Sequence, residues 1–194
     1  MQGKRSMDPI LRVVYNHNTN IAKESVSLND VKNTTATQEA FIQTPLGVTS
    51  IQGDATGIVS VQVLKSDTVA PSVEIPDCLK EAVVQLQEYF SGTRRLFELK
   101  LNLKGTDFQK SVWQELLNIP YGKTISYLEL SRRLGDMKAI RAAAAANGQN
   151  PFWIVVPCHR VIGSDGSLTG YAGGLWRKKW LLEHESPYKQ QSLF

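Results

Sequence analysis

The hydrophobic positions in the first half of the chain alternate as they do in short strands of a small sheet. Apolar and polar residues alternate over three segments that turn residues separate, namely residues 41–44, 48–52 and 58–64. Alternation with a period of two is typical of half-buried strands, so the pattern predicts an antiparallel meander. Apolar residues at helical spacing predict a helix from Asp77 to about Gly92, and residues 97–103 are predicted to form a last strand.

The hydrophobic positions in the second half follow the period of helices. Thr106 and Gln109 have the form of a capping box, which marks the start of a helix, and Ser126 begins a second one. A turn at residues 135–137 leads to a third helix, predicted over residues 138–147. Two short helices across a tight turn with a glycine have helix-turn-helix spacing. Most short helical hairpins only pack in a core, so the pattern alone leaves both interpretations open.

The third predicted helix carries almost no side-chain bulk. Arg141 lies near its start and is followed by five alanines. Such a face would let the helix backbone approach phosphates closely while one long cation reaches into a narrow groove. Alanine is also the best helix former and packs tightly against neighbouring helices, which remains the alternative.

A cysteine and a histidine follow the most apolar run of the chain. Residues 153–156 are predicted to form a buried strand, which ends at Cys158 and His159. A buried cysteine is often only a small hydrophobic residue, but a neighbouring base could make it a nucleophile. Successive strand residues point to opposite faces, so His159 would act on the Cys158 thiol through a water unless the chain turns there. Glu185, near the end of a helix beginning at about residue 175, is the candidate partner of the imidazole.

Charge is distributed unevenly between the two halves. The net charge is +4; residues 1–104 hold 11 Lys and Arg against 11 Asp and Glu, and residues 105–194 hold 11 against 7. The second half is therefore the candidate for an anionic partner, unless the surplus only solubilises the surface.

Cysteine usage and hydropathy exclude several classes of protein. Cys78 and Cys158 are the only cysteines, too few for a disulfide framework and consistent with free thiols in a reducing compartment. His17 and Cys78 are the only histidine and cysteine before residue 105, too few for a zinc site, so no metal is expected there. No cofactor is expected either. No apolar run of about 18 residues occurs, which predicts a protein that does not span a membrane.

Three segments together resemble the 6-O-alkylguanine-DNA alkyltransferases. They are GTDFQKSVWQELLNIPYGKTISYLEL, IVVPCHRVIG and GYAGGLWRKKWLLEHE, and the resemblance covers residues 41–185. It implies an α+β protein, with an N-terminal antiparallel sheet and helix similar to ribonuclease H and a mainly helical C-terminal domain with a helix-turn-helix. It also implies irreversible, single-turnover repair of 6-O-methylguanine in DNA. In that reaction Cys158 would accept the alkyl group, His159 would act as base through water, and Glu185 would be its partner.

The resemblance also implies residues for DNA and substrate. Arg141 would fill the base stack after the damaged nucleotide is flipped out into the pocket, and Ala142 and Ala145 would lie against the minor groove of double-stranded DNA. Tyr127 would crowd the phosphate and donate a proton to the leaving guanine. Asn150 would support the turn around the nucleophile, and the pocket would be lined by Tyr171, Ala172 and Gly173.

One departure from the family concerns DNA contact. Relatives usually carry Arg-Ala-Val-Gly where this chain has Arg141-Ala142-Ala143-Ala144, so a methyl group is added at a close-approach position.

The resulting domain organisation has four parts. Residues 1–39 are expected to be a disordered extension, with a targeting segment as the alternative. Residues 40–104 would form the ribonuclease H-like domain, residues 105–186 the DNA-binding and alkyl-transfer domain, and residues 187–194 a tail. The protein is expected to be an intracellular monomer of the nucleus, or of the cytoplasm and nucleoid.

Three other functions differ from alkyl transfer in one feature each. Non-catalytic lesion-binding relatives replace the acceptor cysteine, which is present here as Cys158. Regulators that sense alkylation carry an additional metal-binding or activator module, which the sequence does not show. A cysteine hydrolase would need an oxyanion loop, for which no segment is apparent.

Overall fold

The computed structural model describes residues 36–65 and 68–187. The expectations of a disordered or targeting extension and of a C-terminal tail fall almost entirely outside these residues, and so does His17. The extension is shorter than predicted at its C-terminal end, because the first strand begins at Gln38. Within the described residues, no helix is long and apolar enough to cross a membrane.

The predicted meander is confirmed as a three-stranded antiparallel sheet. Its order is β1 (Gln38–Thr44), β2 (Gly47–Asp54) and β3 (Gly57–Val63). Gly47 opens β2 with a φ of 114°, a backbone conformation that side chains disfavour. The predicted helix is α1 (Asp77–Phe90), which packs its apolar residues on this sheet.

The strand predicted over residues 97–103 is wrong, because the segment makes only one bridge to the sheet. Leu101 is paired with Ile58 of β3, whose N–H donates to Lys100 O at 2.8 Å. The same outer edge of β3 is also occupied by Phe152, which is bridged to Val61. Two segments thus share one strand edge, and neither has room to form a full strand.

The C-terminal half is mainly helical, as predicted. Its elements are α2 (Asp107–Leu117), β4 (Ile125–Ser126), α3 (Tyr127–Arg133), a 3₁₀ turn (Met137–Ala139), α4 (Ile140–Gly148), a second 3₁₀ turn (Cys158–Arg160), β5 (Val161–Ile162) and α5 (Leu175–Glu185). The capping box of Thr106 and Gln109 is present at α2, and the Ser126 hydroxyl caps α3. β4 and β5 pair in parallel, which brings the start of α3 next to the Cys158 turn.

The helix-turn-helix spacing is confirmed in α3 and α4. α3 ends at Arg133, and Gly135 adopts a φ of 87° in the turn that follows. The Asp136 side chain then accepts a hydrogen bond from Lys138 N at 2.8 Å, which starts the chain toward α4.

The apolar run before Cys158 is buried as predicted, but the strand predicted over residues 153–156 is wrong. The segment folds as turns, and Ile154 adopts a φ of 67°, which is rare for a β-branched residue. Val156 N bonds back to Phe152 O at 2.8 Å, so the backbone polar groups are paired locally. The chain therefore turns where the nucleophile is expected.

The two halves of the chain share a continuous core. One buried cluster joins residues of the sheet and α1, such as Ile51 and Leu86, to residues of α2 and α4, such as Val112 and Ala146. A second cluster, around Tyr89 and Leu181, includes Trp153 and Ile154 of the segment that leads to Cys158. Burial on both sides fixes this segment relative to both halves.

Candidate active site

Cys158 begins the short 3₁₀ turn that follows Pro157. Cys158 is only 6% exposed, and it lines a cavity. The turn before it is held by Asn150, whose amide donates to Val156 O at 2.7 Å while its carbonyl accepts from Phe152 N at 3.0 Å. Asn150 therefore bridges the segment that leads to Cys158.

His159 and Glu185 form a buried pair behind the cysteine. His159 Nε2 and Glu185 Oε1 are 2.8 Å apart, and both side chains are almost completely inaccessible. Burial lowers the pKa of His159, against the opposing effect of Glu185, so the imidazole is held neutral at neutral pH. A neutral ring that donates from Nε2 to the carboxylate leaves Nδ1 as an acceptor, and Nδ1 has no partner among the described residues.

Glu185 accepts several hydrogen bonds besides the one from His159. Arg160 donates to both of its oxygens, at 2.8 and 2.9 Å, the Tyr89 hydroxyl donates at 2.8 Å, and Gly122 N donates at 3.1 Å. Burial by itself raises the pKa of Glu185, but the hydrogen bonds and charges of His159 and Arg160 outweigh it and hold this pKa well below its ordinary value. Glu185 is therefore a carboxylate at any physiological pH.

The Cys158 thiol lies in an apolar pocket with a few polar groups. Burial raises the pKa of this thiol, and Asn150, Lys178 and Tyr171 oppose that effect in this order. Tyr127 lies near Cys158, so a thiolate there would raise the pKa of the phenol. Burial raises the pKa of both tyrosines, so their phenols stay neutral.

The cavity beside Cys158 has a volume of about 270 Å³ and is built from both halves of the chain. Its lining residues are Gln62, Val63, Leu64 and Lys65 from the end of β3, Asn147, Gly148, Gln149 and Asn150 from the end of α4, and Trp153, Cys158, Gly170, Tyr171, Ala172, Gly173 and Arg177. The predicted pocket residues Tyr171, Ala172 and Gly173 are thus brought together with Cys158.

Polar atoms without partners are concentrated at this site. In residues 36–65 and 68–187, four buried side-chain polar atoms make no hydrogen bond of regular geometry, and all four belong to residues around Cys158: Asn147 Oδ1, Trp153 Nε1, His159 Nδ1 and Tyr171 OH. Unpaired buried polar groups are costly, and sites that bind polar ligands are where they persist. Tyr171 still makes polar contacts with Trp153 and Cys158, and Asn147 with Tyr127, so His159 Nδ1 is the atom left available to a water or a ligand.

The small residues of α4 divide between two faces. Arg141, Ala142 and Ala145 are exposed, whereas Ala143 and Ala146 are buried. The packing interpretation therefore holds for Ala143 and Ala146, and contact with DNA stays a prediction for the exposed face. Among the residues that the structure describes, no carboxylate lies within ion-pair distance of Arg141, although Arg132 and Arg133 of α3 pair with Glu129.

Sequence analysis missed four residues of this site. Arg160 and Tyr89 bind Glu185, Trp153 lines the cavity, and Lys178 is completely buried near Cys158. Helical spacing could have found Lys178, because it lies three and seven residues before Leu181 and Glu185 on the buried face of α5.

Metal ligands are not grouped in the structure. Within the part of the chain that is described, no group of three or more His, Cys, Asp or Glu side chains could hold a metal ion.

The fold and site define a class of protein in which a helix-turn-helix stands beside a buried cysteine supported by a histidine–glutamate pair. Residues 107–187 match the family described as 6-O-methylguanine DNA methyltransferase, DNA binding domain, and residues 38–103 match the ribonuclease-like domain of the same family. The chain belongs to the 6-O-methylguanine DNA methyltransferase family.

Individual relatives agree with this assignment. The chain is 46% identical over 149 residues to the methylated-DNA–protein-cysteine methyltransferase of Methanosarcina barkeri, covering 75% of this chain and 94% of that one. The methylated-DNA–protein-cysteine methyltransferase of Mycobacterium tuberculosis is 45% identical over 148 residues, covering 74% of this chain and 89% of that one. The crystal structure of the M. tuberculosis O6-methylguanine methyltransferase has a TM-score of 0.69 at 44% identity, covering 77% and 93%. A second M. tuberculosis structure, a complex with DNA, also has a TM-score of 0.69, at 43% identity, covering 77% and 94%.

Proposed function

We propose that the protein repairs 6-O-methylguanine in DNA by moving the methyl group irreversibly to the sulfur of Cys158. The observation that carries the proposal is the arrangement of Cys158 at a cavity with a neutral His159 and an ionised Glu185 behind it. The product is a thioether, and cellular thiols do not cleave its sulfur–carbon bond. Each molecule therefore repairs one lesion.

The proposed reaction is an in-line displacement at the alkyl carbon. His159 Nδ1, the ring nitrogen without a protein partner, accepts the thiol proton through a water, and Glu185 stabilises the imidazolium. The thiolate forms the new bond to carbon as the carbon–O6 bond breaks, and the bonding electrons leave with guanine. The neutral phenol of Tyr127 supplies a proton to guanine, and Tyr127 can later regain one from solvent.

DNA is the proposed partner of the exposed face of α4. Arg141, Ala142 and Ala145 share that face, and small residues there let the helix backbone approach a narrow groove. We propose that this face enters the minor groove of double-stranded DNA, that Arg141 occupies the gap left by the flipped nucleotide, and that Tyr127 crowds its phosphate. Asn150, Tyr171, Ala172 and Gly173 then surround the base in the cavity.

The same proposal covers the domains, the oligomeric state and the location of the protein. We assign the ribonuclease-like domain to residues 40–104 and the DNA-binding and transfer domain to residues 105–186. We propose that the protein acts as a monomer where DNA is found, in the nucleus or in the cytoplasm and nucleoid.

Intact-protein and peptide mass spectrometry tests the proposal. After incubation with a duplex containing 6-O-methylguanine, we expect a gain of one CH₂ unit on the peptide with Cys158. The gain should be absent in Cys158→Ala and unchanged in Cys78→Ala, which removes the only other cysteine. DNA binding without a mass gain would contradict alkyl transfer.

A further inference from the structure

Lys178 is a completely buried cation next to the candidate active site. It lies on the inner face of α5, and its ammonium group donates to Thr169 O at 2.9 Å. Its Nζ is 5.8 Å from the ring centre of Tyr127 and 6.0 Å from that of Tyr171. The proposed reaction gives this residue no task, although it lies between two tyrosines of the site.

Within the part of the chain that the structure describes, the Lys178 ammonium group has no anionic partner. Among the described residues, no carboxylate lies within ion-pair distance of it, and Glu185 is already paired with His159 and Arg160. A buried charge is expensive unless an opposite charge compensates it. A site that keeps an unpaired cation buried is therefore suited to an anion that forms there.

Cys158 is the group around Lys178 that can supply this anion. The titratable groups that interact with Lys178 are Cys158 and His159, and its neighbours also include the two phenols of Tyr127 and Tyr171. Burial keeps both phenols protonated, and a protonated His159 would be a second cation. Burial also lowers the pKa of Lys178, and negative charge on Cys158 opposes this shift.

We propose that Lys178 is the counter-ion of the Cys158 thiolate, and hence a positioning residue for the alkyl transfer proposed above. His159 and Lys178 then have separate tasks. His159 removes the thiol proton. The positive charge of Lys178 then stabilises the resulting thiolate in a buried pocket. The alternative is that Lys178 only fills space and holds the segment around Thr169 through its hydrogen bond to the carbonyl.

The pH dependence of thiol alkylation distinguishes these two roles. Iodoacetamide is reacted with Lys178→Met, which keeps the length of the side chain and removes its charge, in a Cys78→Ala background so that only Cys158 responds. We expect an upward shift of about one unit in the apparent pKa of the thiol, which means about tenfold slower alkylation at pH values below it. Lys179→Met is the matched control, because Lys179 is the exposed neighbour on the same helix.

The outcomes are separable from those of the proposed function, because iodoacetamide needs neither DNA nor a methylated base. A Lys178→Met profile that overlays the parent profile, or that falls equally at all pH values, would overturn the counter-ion role. A shifted profile in a protein that gains no methyl group from DNA would overturn the proposed function alone.

A second measurement does not require Lys178→Met to fold. The lysine ¹³Cε signal of Lys178 is titrated by NMR in the parent chain and in Cys158→Ser, which cannot form a thiolate. We expect the ammonium group to lose its proton at least about tenfold more readily, that is, at a pH about one unit lower, in Cys158→Ser. Equal titration of Lys178 in both proteins would also overturn the proposal.

Discussion

At the scale of single residues, Glu185 combines two tasks in one side chain. It orients His159 and at the same time receives hydrogen bonds from Arg160, Tyr89 and the backbone of Gly122. Gly122 itself has no room for a side chain, since a Cβ there would lie 2.6 Å from Glu185 O. Glu185, the candidate partner of His159, therefore also stabilises the fold.

Glu185→Gln should lower the free energy of unfolding by about 3–5 kcal/mol at pH 7, because it leaves the buried Arg160 without its opposite charge. The pKa of Glu185 is depressed in the folded protein, so its contribution is present above the ordinary value of 4.5 and is lost as pH falls below it. The variant should therefore lose less stability than the parent between pH 5 and about pH 3. Urea unfolding at both pH values measures this, and parallel losses in the two proteins would contradict it.

Lys178 shows why part of the site was not predicted from sequence. Cys158, His159 and Glu185 are residue types with evident chemistry, and the structure brings His159 and Glu185 within 2.8 Å. A lysine in a helix with several other charged residues is normally exposed, so charge alone directs attention away from it. Only its spacing from Leu181 and Glu185 indicates burial.

At the scale of elements, α4 presents one packed face and one exposed face of nearly the same composition. Ala143 is completely buried against neighbouring helices, and the indole of Trp113 donates to Ala146 O at 2.9 Å. Ala142 and Ala145 are exposed on the other side. Substitutions at matched positions can therefore separate packing from DNA contact.

Ala145→Leu should weaken binding to duplex DNA about tenfold, because its added bulk keeps the helix backbone from the groove, while stability changes by less than about 0.5 kcal/mol. Ala143→Leu should instead destabilise the fold by about 1–3 kcal/mol through overpacking. Fluorescence anisotropy with labelled duplex and thermal unfolding measure the two effects. Normal DNA affinity in Ala145→Leu would exclude this face from the interface.

Arg141→Ala should slow repair of methylated guanine in duplex DNA by tenfold or more, since unstacking a base costs on the order of a few kcal/mol. Reaction with free 6-O-benzylguanine should be nearly unchanged, because a free base has no stack to leave. Single-turnover rates on both substrates test this, with Lys138→Ala as a neighbouring cation control. Equal losses on both substrates would mean that Arg141 supports the pocket instead.

Elements were predicted best where a periodic pattern was long enough to identify them. The meander and the helices α1 to α5 follow from period and capping residues such as Thr106. The two errors, residues 97–103 and 153–156, are short apolar segments that compete for the outer edge of β3. The burial predicted for residues 153–156 was correct, but a sequence pattern carries no information about how many segments share one edge.

At the scale of the whole molecule, contacts near the site join the two halves of the chain. The Tyr89 hydroxyl of α1 donates to Glu185 Oε1 at 2.8 Å, and Arg177 Nε donates to Leu46 O at 2.7 Å in the turn between β1 and β2. The Arg177 guanidinium also donates to Gly173 O at 2.8 Å. Docking of the halves and shaping of the cavity are thus coupled.

Tyr89→Phe should reduce the free energy of unfolding by about 1–3 kcal/mol and also slow alkyl transfer, because it removes a buried hydrogen bond to the carboxylate that orients His159. Tyr121→Phe is a suitable control, since the Tyr121 hydroxyl bonds only weakly, at 3.3 Å, to His184 O. Urea unfolding and single-turnover kinetics measure the two effects. A transfer rate equal to that of the parent would show that Tyr89 acts on stability alone.

The cavity draws part of its lining from a segment that carries none of the proposed chemistry. Residues 62–65 at the end of β3 line the same cavity as Cys158, and the proposed reaction passes no proton or alkyl group through them. Substitutions there can change which alkyl groups fit while the nucleophile and its base remain as they are. The range of alkyl groups can therefore change during evolution through this segment, while the residues of the proposed reaction stay the same.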